Sequence, residues 1–217
     1  MSSEQSRLRI TEIFFSLQGE SSLVGYPTVF IRLTGCPLRC GYCDTAYAFT
    51  GGEWYSLAAI LQQLKQYKTP YICVTGGEPL AQKACTELLT LLCDEGYKVS
   101  LETSGALDIS RLDPRVKCIM DIKTPASGEE SRNRYENIEC LKLDDEVKFV
   151  ICDRNDYDWS KSMCEKYDLS TKSSVLFSPV QGDMSATDLA DWILQDQLNV
   201  RFQIQLHKYL WSNQPGK

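Results

Sequence analysis

The chain of 217 residues contains a single histidine, His207, and carries no basic stripe: 23 Lys and Arg stand against 29 Asp and Glu, a formal charge of −6. Gripping a phosphate backbone takes clustered positive charge, so direct nucleic-acid binding is not expected, although a local basic pocket for a small anion is compatible with this balance. No run of about 18 apolar residues is present, which excludes a membrane-spanning helix and leaves no membrane partner to expect. Residues 1–7, Met-Ser-Ser-Glu-Gln-Ser-Arg, lack the apolar stretch of a secretion signal, and a cytoplasmic protein is expected. Neither a Pro/Gly/Ser-rich linker nor an internal repeat divides the sequence. Residues 1–217 are therefore expected to form a single domain, long enough to bury a substantial core.

Against these absences stand ten cysteines. Without a secretion signal they do not read as a disulfide framework. Cys73, Cys85, Cys93, Cys118, Cys140, Cys152 and Cys164 are scattered through apolar or helical segments, as small hydrophobic residues of a reduced interior would be. Cys36, Cys40 and Cys43 differ, because they recur with gaps of three and then two residues in the string Gly-Cys-Pro-Leu-Arg-Cys-Gly-Tyr-Cys-Asp-Thr. A closed iron–sulfur or zinc site takes four protein ligands, and this loop supplies three thiols with no histidine nearby in sequence. A coordination position is left open, which points to chemistry more than to a structural staple. A zinc reading would have to draw its fourth ligand from His207 or one of the scattered cysteines.

Short runs rich in Val, Ile and aromatics alternate with segments of helical period, the rhythm of a parallel β/α sheet. Strands are predicted at residues 28–33, 71–74, 98–101, 116–120, 147–151, 175–177 and 201–206, mostly as near-continuous apolar runs of the kind covered on both faces. Helices are predicted after Ser56, an N-cap; through Leu88–Leu92 before the stop at Gly96; and at residues 131–141, 157–167 and 186–198. Residues 9–15 read as an extra N-terminal strand. About six β/α units are too few for a complete eight-unit barrel, so the expected fold is α/β: a partial, open (β/α)6-type barrel with parallel strands.

In such folds reactive groups collect where strands end. The first parallel strand ends in the cysteine loop, the second in Thr75-Gly76-Gly77-Glu78-Pro79, the third in Glu102-Thr103-Ser104-Gly105. The fourth ends in Asp121-Ile122-Lys123, the sixth in Ser178-Pro179-Val180-Gln181, and the last in His207-Lys208-Tyr209. Gly76 and Gly77 would let backbone approach a ligand closely and expose amides, and Glu78 could accept from an ammonium.

Together these residues resemble the radical S-adenosylmethionine superfamily, whose signature is Cys-x3-Cys-x2-Cys with an aromatic, here Tyr42, before the last cysteine. The resemblance implies that Cys36, Cys40 and Cys43 hold a [4Fe-4S] cluster whose remaining iron is chelated by S-adenosylmethionine, with the Gly76–Pro79 turn at the methionine amine. Tyr42, Cys43, Asp44, Gly76, Gly77, Glu78, Gly105, Lys123, Ser178, Pro179, Val180 and Gln181 correspond to its cofactor contacts. Many members have Ser-Pro-Lys where this chain has Asp121-Ile122-Lys123, so Lys123 alone is matched there.

A narrower resemblance runs from Phe14 to Trp211. Leu17-Gln18-Gly19-Glu20, the segment Gly25 to Arg32, Cys-Asp-Thr ending at Thr45, Glu102 to Gly105 and Gln205 to Tyr209 are similar to the 7-carboxy-7-deazaguanine synthase family. That family implies conversion of 6-carboxy-5,6,7,8-tetrahydropterin to 7-carboxy-7-deazaguanine with loss of ammonia, in the deazapurine route to queuosine. It implies substrate contacts at Leu17, Gln18, Gly19, Glu20, Arg32 and Thr103, with Arg32 on the carboxylate, and Mg²⁺ at Thr45. A one-electron donor such as flavodoxin and a homodimer follow from the same resemblance. Two other readings share the cysteine spacing: an activase that makes a radical on a partner protein, and a non-catalytic metal-stabilised module. His207 reads more readily as a packing residue at the rim than as a ligand contact.

Overall fold

The computed structural model describes residues 6–212, 214 and 216. The leader reading, resting on residues 1–7, falls largely outside them. The fold is one nine-stranded sheet with spatial order β3-β1-β2-β4-β5-β6-β7-β8-β9. β1 (Arg7–Leu17) lies antiparallel between β2 (Pro27–Leu33) and β3 (Glu53–Ser56). From β2 onward all neighbours are parallel: β4 (Tyr71–Gly76), β5 (Lys98–Thr103), β6 (Lys117–Asp121), β7 (Glu146–Ile151), β8 (Ser174–Pro179) and β9 (Arg201–Phe202). The ends of the sheet, β3 and β9, do not pair, so the barrel is open as expected.

The outer face is apolar. Val29, Ile31 and Leu33 of β2, Ile72 and Val74 of β4, and Val99 and Leu101 of β5 pack against α1 (Leu57–Leu64) and α2 (Cys85–Asp94). Ser56 caps α1 by accepting from the Ala59 amide at 3.2 Å, and Gly96, at φ +86°, turns the chain out of α2. A second apolar cluster joins Val147, Phe149, Ile151, Val175 and Phe177 to α3 (Arg154–Tyr167) and α5 (Ala186–Gln195).

Three expectations require correction. The strands are not apolar on both faces, because their inward positions line a polar cavity: Arg32, Thr75, Glu102, Asp121 and Lys148 all face it. Residues 131–141 form two 3₁₀ turns, Glu130–Arg132 and Tyr135–Cys140, instead of an α-helix. Asn133 exchanges hydrogen bonds with the Lys123 backbone and Asn137 donates to the Gly105 and Leu107 carbonyls, tethers that compete with a helical ladder. The last strand stops at Phe202, and residues expected to extend it turn into α6 (Leu206–Trp211). There the Leu206 amide donates to the Gly19 carbonyl at 2.9 Å and the Ser21 amide to Gln203 Oε1 at 2.9 Å. The segment thus stitches the open side of the barrel to the loop after β1.

Candidate active site

At the C-terminal ends of the parallel strands lies a cavity of about 280 Å³. Cys36, Cys40 and Cys43 line it, each half-buried, with no disulfide between them. Their loop is held from several sides: the Gly35 amide donates to Ala48 O, the Gly41 amide to Ser127 O, and the Glu78 amide to Gly35 O. A Cβ at Gly77 would stand 2.2 Å from the Gly35 carbonyl oxygen and 2.8 Å from Cys36 Cβ, so only glycine lets the second strand-end turn nest against the cysteine loop. Burial raises the Cys36 and Cys40 thiols above their ordinary pKa. Soft thiol donors around an accessible hollow suit iron. Among the described residues no set of three or more His, Cys, Asp or Glu side chains converges to hold a single metal ion.

Gly76 and Gly77 line the cavity, whereas Glu78 lies beneath its wall, fully buried. The Glu78 carboxylate is already engaged: it accepts from the Thr103 hydroxyl, the Ser104 amide at 2.7 Å and hydroxyl at 2.5 Å, and the Leu80 amide at 3.0 Å. Its role here is to fasten one strand-end turn to the next, not to present a free carboxylate to an ammonium. Thr103 reaches the cavity, while Gly105 lies off the lining in the turn that follows. Of the quartet Ser178–Gln181 at the end of β8 only Val180 lines it; Ser178 and Pro179 are buried behind and Gln181 is exposed.

The opposite wall is the loop after β1. Leu17, Gln18, Gly19 and Glu20 all face the cavity. Gly19 is packed beneath His207, and a Cβ there would sit 2.1 Å from His207 Nδ1. Burial lowers the His207 pKa, so the ring is neutral near pH 7. Arg32 lines the cavity with its Nε bonded to Glu12 Oε1 at 2.7 Å. That pair depends on a β-bulge between Ile10 and Glu12, which brings Glu12 opposite Arg32 in the ladder. No hydrogen bond among the described residues engages the terminal guanidinium nitrogens, which stay free for a bidentate acceptor.

Thr45 and Asp44 lie together: the Thr45 hydroxyl donates to Asp44 Oδ1 at 2.8 Å, and Lys208 Nζ is 2.7 Å from Asp44 Oδ2. Burial opposes the charge on Asp44, but Lys208 and Thr45 outweigh it and hold the carboxyl well below the usual range. Lys123 Nζ pairs with Asp121 Oδ2 at 3.1 Å, while Asp121 Oδ1 is buried with no partner among the described residues. An orphan carboxylate oxygen at the cavity wall calls for a donor from a bound polar molecule.

Several lining residues had no role in the sequence reading. Glu102 accepts from Thr75 Oγ1 and Gln18 Nε2, and Lys148 bonds Glu20 Oε2 at 2.6 Å. Each stands beside outward apolar residues, Leu101 for Glu102 and Val147 and Phe149 for Lys148, and that alternation was their signal. Asp156, buried at the start of α3, left none: it accepts from Ala126 N, Thr124 Oγ1 and Cys152 N, and so fixes the turn whose Ser127 carbonyl receives Gly41.

The family model of the radical SAM superfamily matches residues 30–120. The chain is 44% identical over 214 residues to the 7-carboxy-7-deazaguanine synthase of Chlorobaculum tepidum, with 97% of each chain covered. It is 42% identical to that of Koribacter versatilis, covering 94% of this chain and 97% of the relative. Among solved structures, QueE from Escherichia coli is similar in fold, with a TM-score of 0.78 at 23% identity over 93% of this chain and 95% of that one.

Proposed function

Because the chain belongs to the 7-carboxy-7-deazaguanine synthase family of radical S-adenosylmethionine enzymes, we propose that it converts 6-carboxy-5,6,7,8-tetrahydropterin to 7-carboxy-7-deazaguanine with loss of ammonia, serving queuosine and deazapurine synthesis. The observation that carries this reading is one cavity that joins three free thiols, the Leu17–Glu20 loop and Arg32. Such a family has a [4Fe-4S] cluster and S-adenosylmethionine; Cys36, Cys40 and Cys43 would hold the cluster. When bound, the two together supply a one-electron reduction that yields a 5′-deoxyadenosyl radical for hydrogen abstraction.

The protein's share is placement and exclusion of side reactions. Arg32, anchored by Glu12, would offer its terminal nitrogens to the substrate carboxylate and so fix the position of the neighbouring C6. Gln18, Gly19, Glu20 and Thr103 present donors and acceptors to the flat heterocycle, for which an unmatched buried polar group would cost about 1–3 kcal/mol. On the cofactor side stand Tyr42, Cys43, Asp44, the Gly76–Gly77 turn, Lys123 and Val180. Gly105, Ser178, Pro179 and Gln181, off the lining, complete the turns behind them.

Thr45 is proposed as the protein's ligand to Mg²⁺. A lone neutral hydroxyl is a weak ligand for a hard cation, so the ion needs substrate oxygens and water and should bind well only with substrate present. The family resemblance also supports a one-electron donor such as flavodoxin, a homodimer, and one domain spanning the chain. Among the described residues no helix is long and apolar enough to cross a membrane.

Anaerobic reconstitution followed by incubation with S-adenosylmethionine, reductant, Mg²⁺ and the carboxypterin, with mass analysis, tests the reading. 7-Carboxy-7-deazaguanine is expected. Cofactor cleavage with no deazaguanine would overturn the assignment and favour an activase.

A further inference from the structure

Lys148 is the only inward-facing cation of β7, set between Val147 and Phe149, which face the outer core. Its Nζ lies 2.6 Å from Glu20 Oε2 and 3.5 Å from Asp121 Oδ2, with the side chain 12% exposed. Glu20 arrives from the loop after β1, and its other oxygen accepts from Gln205 Nε2 at 2.5 Å. Each oxygen thus already has one donor, Lys148 from β7 or Gln205 from the start of α6. Each carboxylate oxygen has room for a second donor, and Glu20 lines the cavity.

Among the described residues the other cations lining the cavity are bonded to other carboxylates. Arg32 is paired with Glu12, Lys123 with Asp121 and Lys208 with Asp44. A carboxylate buried in that position needs a partner to remain charged. Around the Glu20–Lys148 pair stand Asp121 at the end of β6, Lys123 just beyond it, Glu102 from β5, Asp44 from the cysteine loop and His207 from α6.

We propose that Lys148 is a positioning residue for substrate recognition: it holds Glu20 as a fixed carboxylate whose two oxygens read an adjacent ring N–H and exocyclic amino group, the paired donors on the pyrimidine edge of a pterin. The inference rests on the reading given under Proposed function. It separates the roles of two basic residues: Arg32 addresses the substrate carboxylate directly, and Lys148 acts through Glu20. The selected ligand class is a fused heterocycle with a 2-amino-4-oxo-pyrimidine ring, whatever its oxidation state at the carboxylated ring.

The test is calorimetric binding of 6-carboxypterin, which has the same edge but an oxidised ring, to the anaerobically reconstituted protein with S-adenosylmethionine bound. KM and kcat for the reduced substrate are measured alongside. Lys148→Met should weaken analogue binding and raise KM roughly tenfold or more, Lys148→Arg should restore most of it, and S-adenosylmethionine affinity should stay unchanged. In a Glu20→Gln background, adding Lys148→Met should cost less than about twofold, since the group through which it acts is already gone. That double variant removes both charges and keeps the comparison available if Lys148→Met alone does not fold. Additive losses would overturn the inference by showing that Lys148 meets the ligand itself, and so would unchanged binding in folded Lys148→Met. A wild-type protein that neither binds the analogue nor turns over the carboxypterin would overturn the functional reading as well. Wild-type binding and turnover matched by the variants would overturn the Lys148 role alone.

Discussion

Along β7, Val147, Phe149 and Ile151 face the helices and are fully buried in an apolar core, while Glu146, Lys148 and Val150 face the barrel interior. The same alternation separates Ile31 and Leu33 from Arg32 on β2, and Met120 from Asp121 on β6. The outer face is stabilised by leaving water, a non-directional effect that tolerates many apolar side chains. The inner face holds charged groups that must find partners, and it has them in pairs: Glu12–Arg32, Glu20–Lys148, Asp121–Lys123 and Lys117–Glu146, the last also bonding the Ser22 amide. Such pairs contribute little net stability, since desolvation offsets their attraction. Their use is to fix a site.

Damage to the inner face should therefore remove function, and damage to the outer face should remove stability. The largest functional effect is expected for Cys43→Ser, which would take a proposed thiolate ligand from the cluster: iron content after anaerobic reconstitution should fall and turnover should be lost, with the melting temperature of the metal-free protein nearly unchanged. A variant that kept full iron and turnover would detach the site from these cysteines. Conversely, Phe149→Ala empties a fully buried position and should cost about 3–5 kcal/mol in urea unfolding, while KM for the carboxypterin in the remaining folded protein holds.

Between these extremes lies Gly77→Ala. The added methyl meets the Gly35 carbonyl at 2.2 Å, so the cysteine loop must shift; a displacement of about 1 Å near the chemistry costs on the order of a hundredfold in kcat. Iron retention measured against chelator would follow the same direction. The smallest expected effect is in the acid limb of stability. Burial alone would raise the Glu20 pKa, but Lys148, Gln205 and His207 outweigh it and hold it below the ordinary carboxylate value. A carboxylate depressed in the folded state contributes stability that is present above its unfolded pKa and is lost as pH falls through the folded value. Wild-type stability should thus fall on the acid side of the ordinary carboxylate range, and Glu20→Gln should flatten that fall in unfolding curves taken through the acid limb. An identical slope would mean that Glu20 is not held as a carboxylate.

Legibility in the sequence follows the same division of faces. The outer residues of β2, β4, β5, β7 and β8 form apolar runs, which identify strands whatever lies between them, and Ser56 and Gly96 mark helix ends by local chemistry. β3, only Glu53–Ser56, is too short and exposed to show a pattern; its position is fixed by pairing with β1. Residues 131–141 have helical spacing, but Asn133 and Asn137 bond to distant turns, which periodicity does not encode. The cysteine loop, Gly77 and Arg32 were legible because each has a distinctive residue type in a distinctive place, and the Leu17–Glu20 loop through the family resemblance. Lys148 and Asp156 were not, because their roles lie in which loop they meet, and that depends on the crossing of residues far apart in the chain.

The proposed chemistry needs three thiolates holding a cluster whose remaining iron is free for S-adenosylmethionine. Mössbauer spectroscopy of protein reconstituted anaerobically with ⁵⁷Fe, recorded before and after adding S-adenosylmethionine, addresses it directly. A single iron subsite whose isomer shift moves on addition, the others staying fixed, is the predicted result. Iron sites that are all unaffected by S-adenosylmethionine, or a protein that takes up zinc and assembles no cluster, would contradict it.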